Sequence, residues 1–256
     1  MNRKTLLFAL TAIGMMVALV FARVNVSAAE RCDVRIGEII SFGHYPQTET
    51  GNDLAPIDWL VLDVKEDRVL VISRYALDSR PYNDEQTEIT WEKCSLRRWL
   101  NEEFPGLAFS AEEREDILLT NVDNSVCQGF DFTAVSCYAE ENLFGNDTQD
   151  TVFLLSFAEA ERYFSVKYWG EPGAIDNLMP RVHPTAYAVR QGAFEGDFST
   201  TLDGAAAGWW WLRSPGCTRS DAAYISYDGA LYDNGVSDPA GSVRPALWVK
   251  PGAGIF

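Results

Sequence analysis

Histidine is nearly missing from this chain. His44 and His183 are the only two, far apart and in no HxxxH or HExxH spacing, so the usual helical zinc site is excluded. The cysteines Cys32, Cys94, Cys127, Cys137 and Cys217 contain no CxxC pair, which removes zinc-ribbon and thioredoxin-like chemistry. There is no GxSxG elbow, no P-loop and no GxGxxG turn. Basic residues are outnumbered, 21 against 37, for a net charge of −16. Such a surface repels phosphate backbones, so nucleic acid and anionic membranes are not expected partners. No catalytic residue, metal or cofactor is read from these patterns. A paired-carboxylate hydrolase leaves no short signature and stays open as the enzymatic alternative.

Long apolar runs are absent except at the start. Asn2-Arg3-Lys4 forms a basic n-region, and Leu6 to Phe21 is apolar except at Thr11 and Gly14. Ser27-Ala28-Ala29 supplies small residues before a cut at Glu30, so residues 1–29 read as a secretory signal peptide. The alternative is an uncleaved anchor. Cleavage removes Arg3, Lys4 and Arg23 and no acid, leaving a still more acidic product. The expected location is secreted or cell-envelope, with no membrane contact beyond the signal segment. Cys127 and Cys137 bracket a polar loop and are placed to close a disulfide worth roughly 3 kcal/mol. Free buried thiols are the alternative.

What the chain has is aromatic strand. Trp209, Trp210 and Trp211 are consecutive, and strand alternation sends Trp209 and Trp211 one way and Trp210 and Leu212 the other. Both faces are apolar, as in a strand covered on two sides. Trp210 and Trp211 are assigned to the interior, and Arg213 to Gly216 is expected to end the strand. Arg213 and Arg244, beside apolar strands, are each expected in a buried or half-buried ion pair.

Upstream, 34–42 alternates as a first strand, and His44-Tyr45-Pro46 opens a loop, making His44 a loop or satisfied core histidine. Ile57 to Val64 and Val69 to Arg74 flank a Lys65–Arg68 turn as a hairpin. Helices are read at Ser95 with Leu96, Trp99 and Leu100, at Ser110 through Leu119 with Glu113, and at Ser156 with Glu159. A further helix is read over 184–193, a strand over 151–155 and a long polar loop over 121–150. Strands first, helices grouped, strands last argue for α+β with an antiparallel sheet. The absence of repeats or a linker makes 30–256 one domain.

The blocks GEIISFGHYPQT, PIDWLVLDV, VLVISRYAL, WEKCSLRRWLNEEF, AFSAEE, TVFLLSFAEAERYF, PTAYA, GWWWLRSPG and VRPALWV occur in one order. In them the chain resembles the bacterial DUF6273 family of exported or surface domains, over 34–256. Its C-terminal half is also similar to the C-type lectin fold of the formylglycine-generating-enzyme kind. That resemblance implies pairing of Arg35–Phe42 with Ala246–Val249 and puts the loops after Trp211 on the ligand side. Those enzymes need two cysteines for copper, and only Cys217 stands near the place. Calcium-binding lectins carry an acid-Pro-Asn or Gln-Pro-Asp loop and a Trp-Asn-Asp, and Glu171-Pro172-Gly173 does not reproduce them.

The candidate ligand-binding residues are Arg219, Asp221, Tyr224, Tyr227, Tyr232, Asp233 and Asn234. They stand on short turns around an Ala222–Tyr227 strand that ends in an Asp228-Gly229 hairpin. Alternation makes one of Tyr224 and Tyr227 core and leaves the other free. Tyrosine with Asn, Asp, Ser and Gly over a rigid sheet is a paratope composition, and retroelement-diversified C-type-lectin folds vary the corresponding segment. The expected partner is a glycan or a protein at the cell surface. A purely structural envelope module, whose tyrosines only cover the sheet, is the third reading.

Overall fold

A computed structural model describes residues 34–129, 143–196 and 199–252. The expected signal segment lies outside them. In chain order the elements are β1 Ile39–Tyr45, β2 Ala55–Val64, β3 Val69–Ser73, β4 Asp78–Ser79, α1 Ser95–Glu102, α2 Phe104–Ala108 and α3 Ala111–Asp116. Then come β5 Thr120–Val122, β6 Thr148–Asp150, α4 Phe157–Phe164, α5 Ala186–Gln191, β7 Trp210–Pro215, β8 Asp221–Ile225, β9 Leu231–Gly235, β10 Ser242–Val243 and β11 Ala246–Val249. The result is mixed α+β with antiparallel sheets.

One sheet runs β1-β2-β3-β11, a second runs β4-β10-β7-β8-β9, and β5 pairs with β6. The sheets are antiparallel except where Ser242 of β10 meets Trp210 of β7 in parallel. The β2–β3 hairpin forms as expected, with Val61 opposite Val71. The expected pairing of first and last strands does not occur: β11 lies against β3, and β1 takes the far edge of β2. The β2–β3 hairpin offers two edges, and each takes one terminal strand. β1 also runs past Gly43, which sits at φ +68, to Tyr45, and its alternation turns His44 to solvent instead of into a loop or the core.

Helix starts follow side-chain chemistry. Ser110 with Glu113 and Ser156 with Glu159 form capping boxes on α3 and α4. On α1 the cap moves one residue back: the Cys94 thiol accepts from the Arg97 N–H, while Ser95 Oγ accepts from Asp84. Leu96, Trp99 and Leu100 are its buried stripe. α3 stops at Asp116, because the Leu118 N–H bonds Trp248 O at 2.8 Å and Ile117 bridges Val249. The apolar pair thus extends a sheet edge and leaves the helix. The 151–155 segment is likewise no ladder strand; Phe153 alone bridges Ala246. Within the expected 121–150 loop, β5 and β6 supply a short two-stranded sheet.

The tryptophan segment is interior, with Trp210 and Trp211 fully buried and Trp209 at 7%. Trp209 meets Trp211 edge-on at 4.8 Å, and Trp210 faces Phe164 on the other side, as alternation requires. The indole N–H groups of Trp210 and Trp211 bond Pro180 O and Arg80 O, each at 3.0 Å. Gly241 lies so close under the Trp211 ring that no side chain fits there. The strand passes through a bulge between Trp211 and Pro215 and ends at Pro215, within the expected Arg213–Gly216 stop.

Arg213 is buried and paired bidentately with Glu159, and it also donates to Asn124 Oδ1, Leu154 O and Asp123 O. The same Glu159 caps α4, so one carboxylate fixes both helix and strand. Arg244 differs from expectation. It is 3% exposed with no carboxylate partner among the described residues. Ser73 O, Pro180 O and the rings of Phe164 and Trp210 hold it instead. The Cys127–Cys137 bridge does not form: Cys127 is a free exposed thiol, Cys137 lies outside the described residues, and Cys217 is disulfide-bonded.

Candidate ligand-binding face

The β8–β9 hairpin is set by Gly229, at φ +89, with Ser226 N–H on Ala230 O and Gly229 N–H on Ser226 O, each 2.9 Å. The register puts Tyr224 opposite Tyr232, Ala223 opposite Asp233 and Ala222 opposite Asn234. Tyr224 and Tyr232 therefore share one face, and Asp233 lies on the other. Ile225 and Leu231, buried on that other face, pin the hairpin to Trp210 of β7.

On the tyrosine face the rings continue outward from the interior. Tyr224 packs on Trp209 at 4.7 Å, Tyr232 lies against Tyr224 at 5.9 Å and 20°, and Trp169 lies against Tyr232 at 6.1 Å. Trp169 arrives from a loop that borders β9, its N–H bonding Leu231 O while Lys167 O accepts from the Leu231 N–H. It is 58% exposed, whereas Trp209 is almost covered. The row thus grades from core to solvent. Tyr227 lies beside it against Phe194, at 5.6 Å, so both Tyr224 and Tyr227 are half-buried and neither is wholly core or wholly free.

Charge around the row is negative. The Tyr232 hydroxyl donates to Asp228 Oδ2 at 3.0 Å. Burial, then Asp228, Asp233 and Asp238, push the Tyr224 phenol up to about 12. Burial and the bond to Asp228 raise Tyr232 as well.

The other expected residues have local tasks. Asn234 donates to Asp238 Oδ2 at 2.6 Å and accepts the Gly235 N–H, tying down the turn after β9. Asp233 accepts the Cys217 N–H at 2.6 Å, and Asp221 accepts the Thr218 hydroxyl at 2.6 Å. Burial raises the Asp233 carboxyl, and the Asp221 charge adds to it. The two carboxylates are near enough to interact, and loop donors engage both. Asp221 also lines a small, partly open cavity of about 10 Å³ with Arg213, Asn124 and Tyr82, room for about one water. Arg219 stands apart with Glu88 at 3.4 Å. The structure therefore gathers Tyr224, Tyr227 and Tyr232 and leaves Arg219, Asp221, Asp233 and Asn234 as the frame.

Trp169, Asp228 and Phe194 were not among the expected residues. A tryptophan inside the polar loop Lys167-Tyr168-Trp169-Gly170-Glu171 was the available signal, since nothing in that loop buries it.

Residues 66–251 match the family described as DUF6273, a domain of unknown function. The chain belongs to the DUF6273 family. The match opens in the β2–β3 turn and takes in the whole aromatic face of this DUF6273 chain. Neither a curated protein nor a solved structure matches it. No group of three or more His, Cys, Asp or Glu able to hold a metal occurs among the described residues.

Proposed function

We propose that this DUF6273 chain is an exported recognition domain of C-type-lectin-like architecture that holds a glycan or protein ligand against the hairpin face. The observation that carries the reading is the row Trp209–Tyr224–Tyr232–Trp169, anchored in the core at one end and 58% exposed at the other. Rings fixed this way offer large contact area with little entropy left to lose on binding. The Asp228 carboxylate beside them gives a polar acceptor that fixes orientation. The long loops between the described strands of the second sheet support the architecture, although β1 and β11 take opposite edges of the first sheet. Export rests on the signal-like residues 1–29.

A glycan and protein array probed with the purified chain tests the reading. Capture that disappears in Trp169→Ala and Tyr232→Ala, with unchanged melting curves, is the expected result. No capture, together with turnover of a glycoside panel, would replace it by the hydrolase.

A further inference from the structure

Elsewhere the chain covers its rings with its own cations. Lys65 and Arg68 lie over Trp248 at 4.8 and 4.7 Å, Arg80 over Trp99 at 4.0 Å, Arg74 over Tyr75 and Arg162 over Tyr163, each at 5.2 Å. Among the described residues no Lys or Arg lies over Trp169, Tyr224 or Tyr232, although Trp169 is the most exposed of the eight tryptophans. Of the nearby cations, Lys167 Nζ donates to Pro172 O at 3.3 Å, and Arg181 reaches the hairpin turn from the backbone side, donating to the carbonyls of Thr200 and Asp228 without an ion pair to the Asp228 carboxylate.

The carboxylates at the row are not neutralised either. Asp228 is bonded by the Tyr232 hydroxyl and the Ala230 N–H, Asp238 by the Asn234 amide and the Ala240 N–H, and all four donors are neutral. Ring faces attract cations through their quadrupole, and unpaired carboxylates add to the same field. The ring-to-ring steps of 5.9 and 6.1 Å are close to the roughly 6.6 Å between alternate side chains of an extended peptide.

We propose that the occupant of the aromatic row is an extended basic segment of a protein partner, with lysine or arginine side chains laid against Trp169 and Tyr232 beside Asp228. The inference rests on the recognition reading above and names the chemistry of its ligand. A neutral ligand gains nothing from this field, and an acidic one is repelled by it.

The test uses the peptide Gly-Lys-Gly-Lys-Gly, its glutamate counterpart and the neutral sugar cellotetraose. Trp169 is 58% exposed and every other tryptophan at most 8%, so protection from acrylamide quenching reports on this ring, with calorimetry for affinity. The lysine peptide is expected to bind and protect Trp169, the glutamate peptide is not, and affinity falls as salt rises. Trp169→Ala leaves net charge unchanged and should weaken binding roughly three- to tenfold, as should the isosteric Asp228→Asn. Equal binding by Trp169→Ala would show attraction to overall charge alone and overturn the proposal. Binding of cellotetraose but not of the lysine peptide would overturn it while keeping the recognition face. If no probe protects Trp169, both readings fall.

Discussion

Replacing Arg244 by Met tests how the interior tolerates a cation with no carboxylate. Its guanidinium is 3% exposed, with Nε on Ser73 O at 3.0 Å and the rings of Phe164 and Trp210 at 5.2 and 5.0 Å. Burial lowers its pKa from 12.5 to about 9. A depression of that size corresponds to about 5 kcal/mol against the charged form in the fold. The charge-assisted hydrogen bond to Ser73 O returns about 1.5–3 kcal/mol, the longer one to Pro180 O at 3.4 Å adds less, and the flanking rings return about 1–2 kcal/mol. The folded state binds fewer protons than the unfolded one only between pH 9 and 12.5. The cost is therefore present in full at neutral pH and is relieved as pH rises through that window. Met fills a similar volume without the charge. Urea unfolding at pH 7 should show Arg244→Met as stable as the parent, or more stable by up to about 2 kcal/mol. A loss of about 3 kcal/mol or more would refute this balance and make the unpaired arginine a net stabiliser.

Trp210→Ala should cost about 3–5 kcal/mol in the same titration, while Trp169→Ala changes the midpoint little; equal losses would contradict the core-to-surface grading of the aromatics. Asn234→Ala should destabilise by about 1–2 kcal/mol, because its amide holds both Asp238 and the Gly235 N–H, and an unchanged melting temperature would remove that framing role. The Asp233 carboxyl is raised by burial, so the fold disfavours its charged form and loses stability as pH climbs above 3.8 through the raised value. Asp233→Asn keeps an acceptor for Cys217 and should flatten that dependence in melts from acid to neutral pH. Native alkylation followed by peptide mapping should label Cys127 and spare Cys94, whose buried thiol is pushed up to about 12; labelling of Cys94 in the folded chain would overturn its burial.

What could be read from sequence was what depends on neighbours along the chain. The Lys65–Arg68 turn, the Ser110 and Ser156 capping boxes, the Asp228-Gly229 hairpin and the alternation of the three tryptophans are all short-range rules, and the structure follows each of them. What was lost depends on distant partners. Ile117 and Leu118 keep a helical pattern, yet β11, more than a hundred residues away, offers them a sheet edge. Arg244 shows the same limit: an arginine between apolar strands implies a carboxylate, but whether one arrives is decided by packing, and here two rings arrive instead. Pairing of β11 with β3 instead of β1 is invisible to any local rule.

The candidate face was half legible for the same reason. Composition singled out the tyrosines, because Tyr among Asp, Asn and Gly on tight turns is unusual for a pure cover of the sheet. It could not separate the ring face from its frame, since Asp233 and Asn234 look alike in sequence and differ in which face they take and which partners reach them. Nor could it find Trp169, which joins the row only because its loop pairs with the outer edge of β9. The aromatic continuity also bears on rigidity. Trp211 contacts Trp209, Trp209 contacts Tyr224, and Tyr224 contacts Tyr232, so no ring in the series can change rotamer without disturbing the next. A close-packed interior transmits such a disturbance instead of absorbing it. Trp209 and Trp211, buried under the second sheet, thus also hold Tyr232 still, the rigidity that the proposed binding face requires.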